Sequence, residues 1–426
     1  MLRDRRKCRS LMPDGMRPVP TALRPTAANW LTLLALIAPL ASIPSVRIMG
    51  TLPIVFVVLI LASCFALRQS PPPLDRPAAT GLGAILVVAA ASVLWAPTDS
   101  FLAGRLTKLL VLFTSGLVLF SVARAMTAHE QKRFGTALVL GTGFGIVLLG
   151  FEVLTSSGLY RLLTGTGLEE VEFHRVNRPL VMATLLFWPA AAVLAGRGPA
   201  GRAAAAAGFA GLLVVALSST SQTAAVALAA SGLAWLGARY RPRAALLAVS
   251  ATAILAIALS PWIGPLLVGL EDLTQWQYFT AANVGPRLEI WTRAAEVAAA
   301  HPFLGVGLEG LRLEAIAGAE PGAIAGYEGA NHPHNAAIQI RLEFGVLGLV
   351  LSSALIAALT LRLLGAPNRD LTVAVPVLTG LIAVSLISHG LWQSWWIGTI
   401  GLVAAATSAV LGTPPNPGVA GDGTTA

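Results

Sequence analysis

The chain has 426 residues, 55% hydrophobic and only 12% charged, with a mean hydropathy of +0.74 and a formal net charge of +9. A soluble protein of this length would carry about twice that charged fraction, so a water-soluble globular enzyme is excluded. Apolar runs of 17 or more residues recur along nearly the whole length. Each can cross ~30 Å of hydrocarbon, whereas a transmembrane barrel would show alternating segments of ~10 residues.

The expected architecture is all-α and polytopic. Twelve spans are predicted at 29–46, 51–67, 78–97, 108–126, 133–156, 179–195, 203–217, 221–238, 243–267, 344–364, 372–389 and 394–412. They divide the chain into a basic tail (1–28), spans one to nine (29–267), one long polar loop (268–343), spans ten to twelve (344–412) and a Gly-, Pro- and Thr-rich tail expected to be disordered (413–426). With the N-terminus inside, the inner loops and the basic tail hold nineteen Lys and Arg residues. The short outer loops hold six: Arg47, Arg105, Lys108, Arg161, Arg175 and Arg178. This bias places both termini in the cytoplasm and the long loop outside. It also accounts for most of the net charge, so nucleic acid is not an expected partner. Cys8 in the tail and Cys64 in the second span imply neither a disulfide nor a metal site. Alanine-rich runs at 203–209 and 223–230 are expected at close helix contacts, where small side chains let backbones approach in lipid.

Candidate site residues cluster in outer segments. The loop 157–178 ends in EFHRVNRP, where Arg175 and Arg178 flank Asn177. Guanidinium forks match phosphate oxygens, and lipid-linked phosphates lie at this depth. The same arginines could equally anchor the interface or pair with Glu169, Glu170 or Glu172. The long loop contains PRLEIWTRAAEVAAAHP, a helical stretch with Pro286 in its first turn and His301–Pro302 at its end. Arg287 there opposes the helix macrodipole, and a bound phosphate would reverse that cost. A glycine-rich stretch, 307–331, follows and could act as a lid.

The loop leads into PHNAAIQIRLEFGVLG. His332 can be the N-cap and Pro333 the first helical residue, which puts His334 in the first turn. Amide groups there would hold its imidazole neutral and able to accept a proton. Advancing 100° per residue aligns His334, Arg341, Gly345 and Gly348 on one stripe, with the glycines admitting a neighbouring helix; Glu343 falls opposite. The bland alternative is a capping histidine with Arg341 snorkelling to headgroups. His174, His301 and His332 have no evident partner and are read as structural. The tryptophans of WQSWW (392–396) are expected in an interfacial aromatic belt. The outer loops carry no aspartate pair to hold a divalent ion.

These segments resemble the O-antigen ligase and polymerase superfamily of bacterial envelope proteins. PRLEIWTRAAEVAAAHPFLGVGLEGLR resembles its Arg-x3-Trp and His-Pro-x-x-Gly-x-Gly stretch, through Arg287 and Trp291. His334–Asn335, nine residues, then Gly345 and Gly348 fits its ligase motif. RVNRPLVMATLLFWPA and SSTSQTAAVALAA resemble two earlier regions, although Gln222 stands where many relatives place an arginine. The resemblance implies a glycosyltransferase of the bacterial inner membrane with its active site facing the periplasm. It would move a glycan from undecaprenyl diphosphate to an acceptor hydroxyl such as one on lipid A core oligosaccharide. It implies no cofactor and no metal. In that reaction His334 would be the general base, Arg287 with Arg178 or Arg175 would bind the diphosphate, and Arg341 would assist. A polymerase of the same superfamily is the close alternative. A secondary transporter is the distant one, since transport predicts charge near span centres.

Overall fold

Hydropathy translates into helices one for one. The computed structural model describes residues 26–96, 102–171, 174–268, 284–310 and 332–411, and no strand occurs among them. Fourteen α-helices are described: α1 (Ala27–Ala41), α2 (Leu52–Ala66), α3 (Arg76–Ala91), α4 (Leu102–Ala125), α5 (Ala128–Leu154), α6 (Gly158–Thr164), α7 (Asn177–Ala195), α8 (Pro199–Ser218), α9 (Gln222–Tyr240), α10 (Pro242–Val268), α11 (Val284–Ala300), α12 (Ala336–Leu364), α13 (Asn368–Ile387) and α14 (Ser394–Leu411). Every expected span is occupied by one of them, and α6 and α11 are additional. Among the described residues nine helices are long and apolar enough to cross a membrane, while α1 and α2 are shorter apolar helices. The protein is an all-α polytopic membrane protein. Its two tails and most of the glycine-rich stretch lie outside the described residues.

Helix starts follow capping chemistry. The Thr127 hydroxyl and the Glu130 carboxylate form a reciprocal capping box at α5, and Asp75 caps α3. Pro39, Pro189 and Pro376 lie inside α1, α7 and α13; such breaks survive in membrane bundles because neighbouring groups satisfy the freed carbonyls. In the core α14 runs along α4, α13 along α9, α1 along α5 and α10 along α12.

Two expectations fail here. The tryptophans of the 392–396 segment are not an interfacial belt: Trp392, Trp395 and Trp396 are all buried, Trp396 completely. They pack inward, Trp392 onto Phe344 and the Glu343 carboxylate and Trp395 onto His389 and the Gln393 amide. The alanine runs also divide. The run at 223–230 packs α9 against α13, with Ala224 and Ala227 fully buried. Most of the run at 203–209 is exposed.

The bundle has two unlike ends. α7 begins beside Arg178, α13 finishes at Ile387, and α12 and α14 start at that same end. At the other end lie the finish of α7 and α9 and the start of α8 and α13, with Arg197, Arg202, Arg239 and Arg369. Nineteen residues of α7 separate the two ends by roughly 28 Å at 1.5 Å per residue.

Candidate functional site at the histidine end

The site is assembled by α11. Its helix stops at Ala300, where the His301 amide still donates to the Val297 carbonyl (3.1 Å) and Pro302 can donate nothing further. Arg287 and Trp291 stand one turn apart on the face that meets the bundle. Arg287 Nη1 donates to the Ile387 carbonyl (3.0 Å), and Trp291 Nε1 donates to the Pro333 carbonyl (2.7 Å). The Arg-x3-Trp spacing therefore grips both the end of α13 and the strand of chain that carries His334. Below it Ala294, Val297 and Ala298 pack on Val306, Ile338 and Leu342.

The segment after Pro302 is stitched into a kink of α12. Gly345 sits at φ +55°, ψ −140° inside that helix. The Val346 amide donates to the Pro302 carbonyl (2.8 Å) and Leu347 to Phe303 (3.1 Å); Val306 and Gly307 donate to the Leu342 and Glu343 carbonyls (2.9 and 2.8 Å). A Cβ on Gly345 would lie 2.5 Å from the Phe303 carbonyl carbon. Gly345 thus admits the backbone turn at Pro302–Phe303, not the neighbouring helix expected. Gly348 admits no helix either: a Cβ there would lie 2.8 Å from the Ile340 carbonyl, about two turns earlier in the same helix, which the kink brings close.

His334 is not in the first helical turn. Asn335 is the N-cap, its side-chain oxygen accepting from the amides of Ala337 (2.9 Å) and Ile338 (3.1 Å). That short amide fills a role His332 cannot. His334 lies just before it in the left-handed region, at φ +54°, a conformation uncommon outside glycine and associated with functional strain. The 100° stripe consequently does not extend to His334, and the kink at Gly345 breaks it again before Gly348. Arg341 remains on α12 with its Nε and Nη1 buried and without a hydrogen-bond partner among the described residues.

His334 Nδ1 lies 2.8 Å from the Ser388 carbonyl. A carbonyl only accepts, so the proton sits on Nδ1 and the lone pair on Nε2. Burial pushes the imidazole below its ordinary pKa; the Ser388 bond opposes this, and the charges of Arg287 and Arg178 add to it. The expected neutral base is retained, but desolvation replaces helix-end amides as the cause. Two further histidines share the corner. His332, expected to stand alone, has its ring 4.2 Å from that of His334 and its Nε2 2.6 Å from the Gln393 amide nitrogen. The Trp395 indole donates to Gln393 Oε1 (2.7 Å), which turns the amide NH2 toward His332. Burial, with His334 and Arg178 nearby, lowers His332 to about 3. His389 stacks edge-on against Trp395 (4.5 Å) and is also held neutral, mainly by burial. His174 and His301 are exposed.

The two loop arginines part company. Arg175 donates to the carbonyls of Pro44 (2.8 Å) and Ile43 (2.9 Å) and lies over the Tyr160 ring. Its fork ties the loop to the end of α1. Arg178 instead stands over Trp395 (5.6 Å) and acts electrostatically on all three histidines of the corner. The SSTSQ turn supports it: Thr220 and Ser221 donate to the side chain and backbone of Asn177. So His334, Arg287 and Arg178 come together, while Arg175 points elsewhere.

Sequence reasoning missed a polar core beneath this corner. Glu343 is buried and accepts from Gln339 Nε2 (2.7 Å) and Trp392 Nε1 (2.6 Å), and Gln339 Oε1 accepts from the Leu391 amide (2.9 Å). His389 and Gln393 were missed as well. The available signal was the SHGLWQSWW turn, which sets two amphipathic hydrogen-bonding types among tryptophans at a span boundary.

A family model described as O-antigen ligase matches residues 204–353, which contain both motifs. Over 72% of this chain and 74% of its own length, a candidate polysaccharide ligase of Rickettsia conorii is 22% identical. A candidate polysaccharide ligase of Rickettsia felis is 24% identical over 66% of this chain and 68% of its own, and one from Rickettsia bellii is 23% identical over 67% and 70%. The matched segment is similar to the O-antigen ligase family, as its motifs suggested.

Proposed function

We propose that this protein transfers a glycan from a polyprenyl diphosphate, undecaprenyl diphosphate in bacteria, to an acceptor hydroxyl, with lipid A core oligosaccharide as the acceptor. The supporting observation is a neutral imidazole with its Nε2 lone pair available, beside the Arg287 and Arg178 guanidinium groups. The acceptor oxygen attacks the anomeric carbon while His334 Nε2 takes its proton. The bond from that carbon to the diphosphate oxygen breaks, and the diphosphate leaves with the electron pair. Arg287 and Arg178, both half-buried, receive the growing negative charge. Direct attack inverts the anomeric centre. The energy is that of the diphosphate–sugar bond, so the site can lie outside the ATP-bearing compartment, on the periplasmic side of the inner membrane.

Transfer by the purified chain, from undecaprenyl-diphosphate glycan to lipid A core, tests this. His334→Ala at equal protein level should lose about 10²-fold or more in turnover; near-wild-type turnover would end the assignment. A deletion strain should make rough lipid A core and accumulate lipid-linked polymer. Single repeat units attached to the core would instead indicate a polymerase.

A further inference from the structure

A cavity of about 1790 Å³ opens at the arginine end of the bundle, far from the histidines. Small-molecule pockets hold about 300–1,000 Å³, so this space suits a larger occupant. Its inner wall is apolar and aromatic. Phe187, Trp188, Phe209 and Trp235 line it as one cluster, with ring centroids 5.4–6.5 Å apart. Its mouth is cationic: Lys132, Arg197, Arg202, Arg239 and Arg369 line it, against a single acid, Asp370, which Arg369 already pairs at 3.4 Å.

Two alanines of α8, half-buried Ala205 and exposed Ala206, take a role here. Ala205 and Ala206 form part of the cavity wall, so the smooth face that sequence assigns to a helix contact has no helix upon it. A long apolar body with an anionic head complements both parts of this surface. All five cations are exposed, as a headgroup site requires. Basic pockets between membrane helices hold anionic headgroups by this chemistry.

We propose that this cavity binds an anionic bilayer phospholipid, its acyl chains along the α7–α8–α9 aromatic wall and its phosphate among Arg197, Arg202 and Arg239. Occupancy would fill the gap between α8 and its neighbours and fix the half of α7 that begins at Phe187. The site is independent of the catalytic reading.

The test is native mass spectrometry of the full chain in detergent, delipidated and then titrated with dioleoyl phosphatidylglycerol or dioleoyl phosphatidylcholine. The wild type should retain phosphatidylglycerol in preference to phosphatidylcholine. The triple variant R197Q/R202Q/R239Q should lower that retention by about 10-fold or more, and its exposed positions leave the core intact. Ala206→Trp, which fills the cavity without touching charge, should lower retention of both lipids. Equal retention of the two lipids by the wild type, or unchanged phosphatidylglycerol retention in the triple variant, would overturn the proposal. Preferential capture of undecaprenyl phosphate over phosphatidylglycerol would also overturn it, by naming the carrier lipid as occupant.

Discussion

Two corners of this protein gather arginines at helix ends, and they use them in opposite ways. At Asp75, a single carboxylate receives both nitrogens of the Arg362 fork (3.1 and 3.0 Å) and Arg124 (3.3 Å), while also capping α3. Those charges are spent on one another. At the histidine end, the described bond of Arg287 goes to a neutral carbonyl, that of Ile387. A carbonyl orients a guanidinium without cancelling its charge, so Arg287 stays available to an anion. The three neutral histidines around it, His389 buried and His332 and His334 half-buried, add no compensating negative charge. The difference teaches that a cation held by backbone is poised for a ligand, and a cation held by carboxylate is a staple.

The contrast can be broken most directly at Arg287. Arg287→Ala should cost about 10²–10³-fold in glycan transfer, the scale of losing one donor to a developing anion, with little change in melting temperature. Activity that survives alongside a lowered melting temperature would give Arg287 a structural role instead. Next comes the kink that supports the corner. Gly345→Ala should lower stability by about 1–3 kcal/mol through backbone strain alone, more if Phe303 cannot move, as measured by thermal unfolding in detergent. Trp392→Phe should cost about 1–3 kcal/mol by leaving a lone pair of buried Glu343 unmet.

Acid separates the corners further. His332, His334 and His389 all bind protons less readily in the folded state than the ordinary 6.5. Unfolding therefore takes up protons, and stability should fall as pH drops below about 6.5, continuing toward the His332 value of about 3. Asp75, held below its ordinary 3.8 chiefly by its hydrogen bond to Arg362, contributes stability that disappears only at lower pH. Melts at pH 7.5 and 5 should thus differ in the wild type, and the difference should shrink in His389→Gln. The acid limb of kcat/KM should likewise lie below the ordinary histidine range. The smallest effect is expected at the staple: Asp75→Asn retains a capping oxygen and should lose about 1 kcal/mol or less, with transfer unchanged.

Much of this was legible from residues. The Arg287–Trp291 spacing and the His334–Asn335 pair were visible, although their work was not. Asn335 reads as a bystander to a histidine cap until its oxygen is seen on two amides. The stripe of His334, Arg341 and Gly348 failed because it assumed unbroken helix through residues that are not helical. Arg175 and Arg178 are indistinguishable three positions apart, yet one ties down a loop and the other reaches the histidines.

What sequence alone determined is the list of helices and their order, because hydrocarbon forces each crossing backbone to satisfy itself. Tertiary structure decided the chemistry. The carbonyl that sets the His334 tautomer is 54 positions away, and the one that aims Arg287 is 100 away. Those partners meet only when α11 lies across α10 and α12, and no local pattern encodes a hydrogen bond over such distances.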